Sequence, residues 1–185
     1  MRANLEAGMT VEDFLAWLED RPRKPRYELI AGEPVEMSPE RVRHSIVKNR
    51  IWRALDDALV SSGLPFTAIG DGVGVRADDY TVFEPDASVA ADGSLDDDGV
   101  FAPEPVIVVE VLSPSTAMRD ASVKLEAYFR VPTIAHYLVI DPDRAVVFHH
   151  RRALEKIETE IHRQGRLRLE PPGVEVEVGD FFGRS

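Results

Sequence analysis

Residues 106–112 read Val-Ile-Val-Val-Glu-Val-Leu, and no other stretch of the chain constrains its fold as tightly. A nearly continuous run of β-branched apolar residues is the pattern of a strand covered on both faces, so the chain must build layers around a central sheet. The exception in that run is Glu110. An isolated buried carboxylate costs several kcal/mol, which proteins avoid by protonating it, pairing it with a cation or placing it on a metal. The plainer alternative is that Glu110 lies near the strand end and reaches water or a structural arginine. Residues 135–140 (Ala-His-Tyr-Leu-Val-Ile) repeat the buried pattern and stop at Asp141-Pro142.

The 185 residues suit a single domain spanning residues 1–185, a size that buries roughly 70% of its unfolded surface. No apolar run approaches the ~20 residues of a spanning helix, so no membrane partner is expected. The absence of cysteine excludes disulfides, zinc–thiolate sites and cysteine nucleophiles. The N-terminal sequence MRANLEAGMTVEDF contains no apolar signal core, which makes a cytoplasmic location the expectation. A net charge of −11 argues against binding nucleic acid by bulk attraction, and leaves room for a local basic face with a bound cation.

Along the chain, Thr10 followed by Asp13 forms the acidic version of a capping box and opens a short helix bearing Val11, Phe14, Leu15 and Leu18. Two prolines within residues 21–26 end it. Residues 27–30 and 34–37 read as a hairpin turning at Gly32. Ser38-Pro39 makes an N-cap and first-turn pair for a second helix, whose Val47, Ile51, Ala54, Leu55 and Ala58 recur at helical spacing until Gly63. Strands are expected over 70–76 and 81–89, an acidic loop over 92–99, and a helix capped by residues 113–116 and running to about residue 130. Shorter strands near 146–148 and 174–178 complete an α/β (α+β) arrangement, a central mixed β-sheet flanked by helices.

Five polar residues stand out as carriers of chemistry. Asp86 follows Pro85, and a proline has no donor for a sheet ladder, so it marks a strand start, bulge or edge where a side chain can be aimed at a site. Read alone, Asp86 is an ordinary turn aspartate; beside Glu110 on a neighbouring strand it becomes half of a carboxylate pair about 4–5 Å across. Hard oxygen ligands of this kind suit Mg²⁺. Lys124 lies two to three turns into the helix after Glu110, where a helix rising ~1.5 Å per residue returns to the strand's end. Its plainer reading is an i,i+4 pair with Asp120, worth only ~0.3–0.5 kcal/mol. His44 continues the inward stripe of the second helix, as a hydrogen-bonded core histidine also would. Glu28 sits between Tyr27 and Leu29 and, by alternation, faces away from both.

Other chemistries find little support. Walker A and GxSxG patterns are absent, and the close glycines at 70, 72 and 74 do not open a helix. The Asp96-Asp97-Asp98-Gly99 run lacks EF-hand spacing and reads as a solvated loop. His149-His150-Arg151-Arg152 is a weak basic patch. Charge is uneven, however: residues 21–26 carry four bases and no acid, and residues 41–53 carry five and none. Residues 71–104 hold ten acids against Arg76 alone.

Taken together, Tyr27-Glu28-Leu29-Ile30-x-Gly32, Met37-Ser38-Pro39 with His44, Pro85-Asp86, Val109-Glu110-Val111-Leu112-Ser113-Pro114-Ser115, Asp120, Lys124, Tyr128 and Tyr137-Leu138-Val139-Ile140-Asp141-Pro142 resemble the Uma-type "putative restriction endonuclease" family, a branch of the PD-(D/E)XK nuclease superfamily. The likeness runs from the first helix to Val178-Gly179-Asp180-Phe181-Phe182. It implies a restriction endonuclease-like core in which Asp86 and Glu110 hold Mg²⁺ or Mn²⁺, with the Val111 backbone carbonyl as a further ligand. The superfamily's usual lysine position, two residues after the second acid, is Leu112 here; in this branch a lysine on the following helix substitutes, and Lys124 fits. Glu28 and His44 also match family positions. The family's Glu-Tyr-Trp before the last core strand is replaced by Ala135-His136-Tyr137.

The expected activity is metal-dependent hydrolysis of a DNA phosphodiester, with phosphate contacts from the basic stretch between residues 21 and 53 and, by analogy with nucleases that cut both strands, a homodimer. Two rivals remain open at this level: a nuclease-fold binding or regulatory module that does not cleave, and a phosphodiesterase acting on RNA or a small substrate. A purely structural protein leaves Glu110 unexplained.

Overall fold

The computed structural model describes residues 8–22, 24–112 and 119–183, the side chains of residues 119–122 excepted. The chain runs α1 (Val11–Glu19), β1 (Tyr27–Ile30), β2 (Glu33–Glu36), α2 (Val42–Ser62), β3 (Phe66–Gly70), β4 (Val75–Asp78), β5 (Thr81–Phe83), β6 (Ala87–Ala91), β7 (Pro105–Val111), α3 (Arg119–Tyr128), β8 (His136–Asp141), β9 (Val146–Arg152), β10 (Ile157–His162), β11 (Arg166–Leu169), β12 (Val174–Glu177) and α4 (Val178–Phe182). Among the described residues no helix is long and apolar enough to cross a membrane.

The central sheet has six strands in the order β10-β9-β8-β7-β6-β3. It is mixed: β7 and β8 run parallel, joined by the crossover that contains α3, and the other pairs are antiparallel. A four-stranded sheet, β2-β1-β5-β4, and the β11–β12 hairpin complete the architecture.

Period-two alternation on β7 explains the layering. Ile107, Val109 and Val111 join Leu138 and Ile140 under the apolar stripe of α2 (Val47, Ile51, Leu55, Leu59) and under β11, β12 and α4. Val108 points the other way, with Tyr137 and Val139, against Ala127, Tyr128 and Phe129 of the α3 segment and Phe83 of the small sheet. Glu110 shares that second face.

Local signals behave as their chemistry dictates. The Thr10–Asp13 capping box is formed in both directions, with Asp13 N–H donating to Thr10 Oγ1 at 3.1 Å. Gly63 ends α2 in the left-handed conformation. Gly32 turns the first hairpin with φ 81°, and a Cβ there would lie 2.8 Å from the Gly8 Cα, so only glycine fits.

Four sequence expectations are corrected. The strand foreseen over 81–89 is two strands in two different sheets, broken at Glu84-Pro85-Asp86, where proline cannot continue a ladder. The strand foreseen over 70–76 is likewise split, β3 ending at Gly70 and β4 beginning at Val75, because Gly72 (φ 108°) turns the chain. Helix α2 starts at Val42 with Arg41 as N-cap and no side-chain cap, so Ser38-Pro39 lies upstream of it. Finally, Val178 opens α4 rather than closing a strand, and the polar β10 and β11 were not foreseen. The capping expectation for residues 113–116 and the Asp120–Lys124 pair fall outside the described residues.

Candidate active site

The break at Pro85 sets the geometry of the site. Asp86 stands one residue before β6, one step past the Ala87–Val109 pair and therefore level with Glu110 on β7. Backbone bonds lock this register: Asp86 N–H donates to the Val109 carbonyl at 2.9 Å, and Val111 N–H donates to Asp86 Oδ2 at 2.5 Å. From β1, Glu28 is fixed by the Glu84 N–H, which donates to its Oε1 at 3.0 Å. Helix α3 arrives over the same end of the sheet. Lys124 and Tyr128, one turn apart, both donate to Glu110 Oε1, at 2.8 and 2.7 Å, and Lys124 Nζ also donates to Glu28 Oε1 at 3.0 Å.

A second lysine completes the arrangement from α2. Lys48, almost wholly buried, places its ammonium 2.6 Å from Asp86 Oδ1, 2.9 Å from Glu40 Oε1 and 3.1 Å from Asp71 Oδ2. Arg26 bridges the outer acids, at 2.9 Å to Asp71 and 2.5 Å to Glu84. One turn before Lys48, His44 sets its Nε2 2.5 Å from the Val111 carbonyl and its Nδ1 3.2 Å from Glu40 Oε1. Both ring nitrogens thus face oxygen acceptors. Apart from Asp71 and Tyr128, which stand behind it, these groups line one open cavity of about 410 Å³ between the β1–β2 hairpin, the start of α2, the β7 end and α3.

All five residues singled out in the sequence, Glu28, His44, Asp86, Glu110 and Lys124, line that cavity, as does Val111. Lys48, Glu40, Asp71 and the hydroxyl of Tyr128 were missed. A readable signal existed for Lys48: it follows His44 by four residues, which stacks the two along one face of α2, while Glu40 reaches them from just ahead of the N-cap. Asp71 carried none, because it joins the site only through the turn after β3. Tyr128 was read as part of the apolar stripe of its helix, and its ring does pack there while the hydroxyl reaches Glu110.

The electrostatics follow from burial. Desolvation raises the carboxyls of Glu110, Asp86 and Glu28 above their ordinary values, and the nearby lysines offset only part of that rise. Asp86 is itself one of the influences that raise Glu110, so the two acids sense each other. For Lys48 and Lys124 the balance is opposite: burial works against each ammonium, and the surrounding carboxylates outweigh it, so both are raised and remain charged. Burial, then Glu110, pushes the Tyr128 phenol well up, which keeps its proton available for donation.

Three sequence readings change here. The counter-charges of Asp86 and Glu110 are Lys48 and Lys124, so the acids' proximity does not by itself demand an inorganic ion. The basic stretch between residues 21 and 53 is not a uniformly open face. Arg26, Arg43 and Lys48 are paired to carboxylates within the chain, and Arg50 donates to the Phe182 carbonyl, while Arg21, Lys24, Arg41 and Arg53 are exposed. The run 149–152 is no basic patch, since His149 is buried, Arg151 pairs with Glu158, and Arg152 donates to the carbonyls of Phe129, Val131 and Ile134.

The donor set fits a hard divalent cation. It offers carboxylate and carbonyl oxygens only, desolvated, with carboxyls raised even after both lysines have acted. Lys48 Nζ at Asp86 Oδ1 and Lys124 Nζ at Glu110 Oε1 mark where positive charge is already accommodated.

The backbone around this cleft is shared with a solved crystal structure. A crystal structure from Anabaena variabilis ATCC 29413, described as a putative nuclease belonging to DUF820, superposes with a TM-score of 0.74 at 19% identity, over 94% of this chain and 97% of that one. That likeness establishes the fold. The chain belongs to the Uma2 family, described as "Putative restriction endonuclease", whose model matches residues 11–179. A relative from Synechocystis sp. (strain ATCC 27184 / PCC 6803 / Kazusa), "Uncharacterized protein slr1290", is 29% identical over 139 residues, covering 71% of this chain and 68% of that protein.

Proposed function

We propose that the protein is a divalent-metal-dependent endonuclease that hydrolyses DNA phosphodiester bonds in this cavity. One observation carries the reading: the Lys124 ammonium is clamped between Glu28 and Glu110, beside Asp86 held level with Glu110 by the β6–β7 pairing. Asp86, Glu110 and the Val111 carbonyl hold Mg²⁺ or Mn²⁺. When bound, the cation supplies Lewis acidity toward a phosphate oxygen and an acidified water. Lys124 stabilises negative charge growing on the phosphate, the contribution that is typically largest in such reactions. Tyr128 fixes the Glu110 carboxylate, and Glu28 fixes the other side of the Lys124 ammonium. His44 orients the Val111 carbonyl. Lys48 holds Asp86 in place through its Oδ1, the oxygen for which a bound cation would compete. Exposed Arg41 at the cavity mouth supplies a phosphate contact where the chain's overall charge does not.

The test is nicking of supercoiled plasmid by the purified protein with Mg²⁺ or Mn²⁺. Cleavage that chelator abolishes and that Glu110→Gln reduces to background is expected. Cleavage that persists in Lys124→Ala undiminished refutes the assignment of that lysine, and no cleavage of DNA under any divalent ion refutes the function.

A second reading has a specific observation in its favour: the lysines already satisfy the acids, as they would in a binding module that never takes up metal. Calorimetry with Mn²⁺ separates the two. A nuclease site shows binding that Asp86→Asn abolishes; the silent module shows none.

A further inference from the structure

A second polar cluster lies away from the cleft, on the β9–β10 edge hairpin. We propose that His149, Glu160 and His162 form a binding site for a zinc-class divalent transition-metal ion. His149 on β9 and Glu160 on β10 are directly paired across the strands, and His162 lies two residues further along the same face of β10. One ligand atom from each falls within 4.8 Å of the other two.

A tetrahedral ion with bonds of about 2.0–2.1 Å needs its ligand atoms about 3.4 Å apart. Glu160 Oε2 and His162 Nε2 are already 3.2 Å apart. That contact lacks hydrogen-bond geometry, and His162 Nε2 is a buried nitrogen with no hydrogen-bond partner. A nitrogen aimed at a carboxylate without bonding to it is what a shared cation would resolve. Closing the remaining gap asks for small side-chain movements, which the exposed Glu160 and half-buried His162 allow.

The third ligand is held from behind. His149 is almost wholly buried, and its Nε2 lies 2.8 Å from Nδ1 of His136, itself fully buried on β8. With Nε2 held by that bond, Nδ1 of His149 is the ring nitrogen left to the ion, and His136 is the outer partner that fixes the ring, a part usually played by a carboxylate, backbone carbonyl or water. Two imidazole nitrogens and one carboxylate favour a zinc-class ion over Mg²⁺. Three protein ligands leave a position for water.

The site is independent of the proposed nuclease centre. His136 opens β8, next to Ile107 of the parallel β7, whereas Glu110 and Val111 lie at the far end of β7. His136 and His149 also project on the α2-covered face with Leu138, opposite the face that carries Glu110.

The experiment titrates the intact protein with Zn²⁺ by calorimetry in millimolar Mg²⁺, on an Asp86→Asn background that removes the cleft's own affinity for cations. One Zn²⁺ is expected to bind there, raising the melting temperature. The double substitution Glu160→Gln/His162→Gln, at the two less buried ligands, should weaken it by more than the roughly 10–100-fold that outer partners contribute. His136→Gln should weaken it less. Absence of Zn²⁺ binding overturns the proposal, as does affinity unchanged in the Glu160→Gln/His162→Gln protein. Circular dichroism confirms that each variant is folded before titration.

Discussion

The cleft and the histidine cluster bury polar groups in opposite ways. In the cleft, ionised acids and two raised lysines neutralise one another across β1, α2, the β6–β7 pair and α3. Across β8, β9 and β10, burial pushes His136 down to about 4 and His149 down to about 3, so both rings stay neutral near pH 7. The charged cluster is interdependent, because removing one partner strands another buried charge. The neutral cluster tolerates loss more easily, because an imidazole can shed its charge instead of requiring a partner.

The largest expected effect lies in the cleft. Lys124→Ala should lower plasmid cleavage by about 10²–10³-fold, the range for losing one preorganised charge-stabilising donor. A loss below tenfold would reduce Lys124 to a structural counter-ion. Next comes Lys48→Ala, which leaves Asp86 without its closest cation and should cost about 3 kcal/mol in chemical denaturation. Because Mn²⁺ would then replace the missing charge, its stabilising effect should be greater in this variant than in the parent. Equal stabilisation in the two proteins would separate Lys48 from the metal position.

Acid provides the next comparison, since the clusters answer it with opposite signs. The raised cleft carboxyls contribute stability that is full below the ordinary carboxylate range and lost as pH rises through their elevated values. The lowered His136 contributes stability that is full above about 6.5 and lost as pH falls toward about 4. From pH 7.5 to 5.5, His136 alone should remove on the order of 1 kcal/mol. Acid reprotonates the raised carboxyls as it charges His136, so Glu110→Gln, where one opposing group is gone, should lose at least as much as the parent; denaturation curves at the two pH values check this, and a smaller loss in the variant would break the contrast. The smallest effect sets the scale outside both clusters: Thr10→Ala removes the α1 capping box and should cost about 1 kcal/mol without changing cleavage.

Much of the fold was legible because it rests on local chemistry. The Val-rich run of β7, the Thr10–Asp13 box and Gly63 each act through neighbours in sequence. The site was legible where a residue contradicts its surroundings, as Glu110 does within an apolar strand. Lys48 looked like one base among five, and its role appears only when the turn at Asp71 and the break at Pro85 bring Asp71 and Asp86 onto it. The β9–β10 hairpin was opaque for a related reason. His149 and Glu160 are eleven residues apart, and only the strand register places them opposite each other. The exposed alternation of β10 also gives no buried face to read.

The most direct test is a crystal of the protein soaked with Mn²⁺ and measured for anomalous scattering. The account predicts a peak bound by Asp86 and Glu110, with Lys48 moved off Asp86 Oδ1. Clear density for both lysines still bonded to Asp86 and Glu110, with no peak between the acids at saturating Mn²⁺, would contradict it.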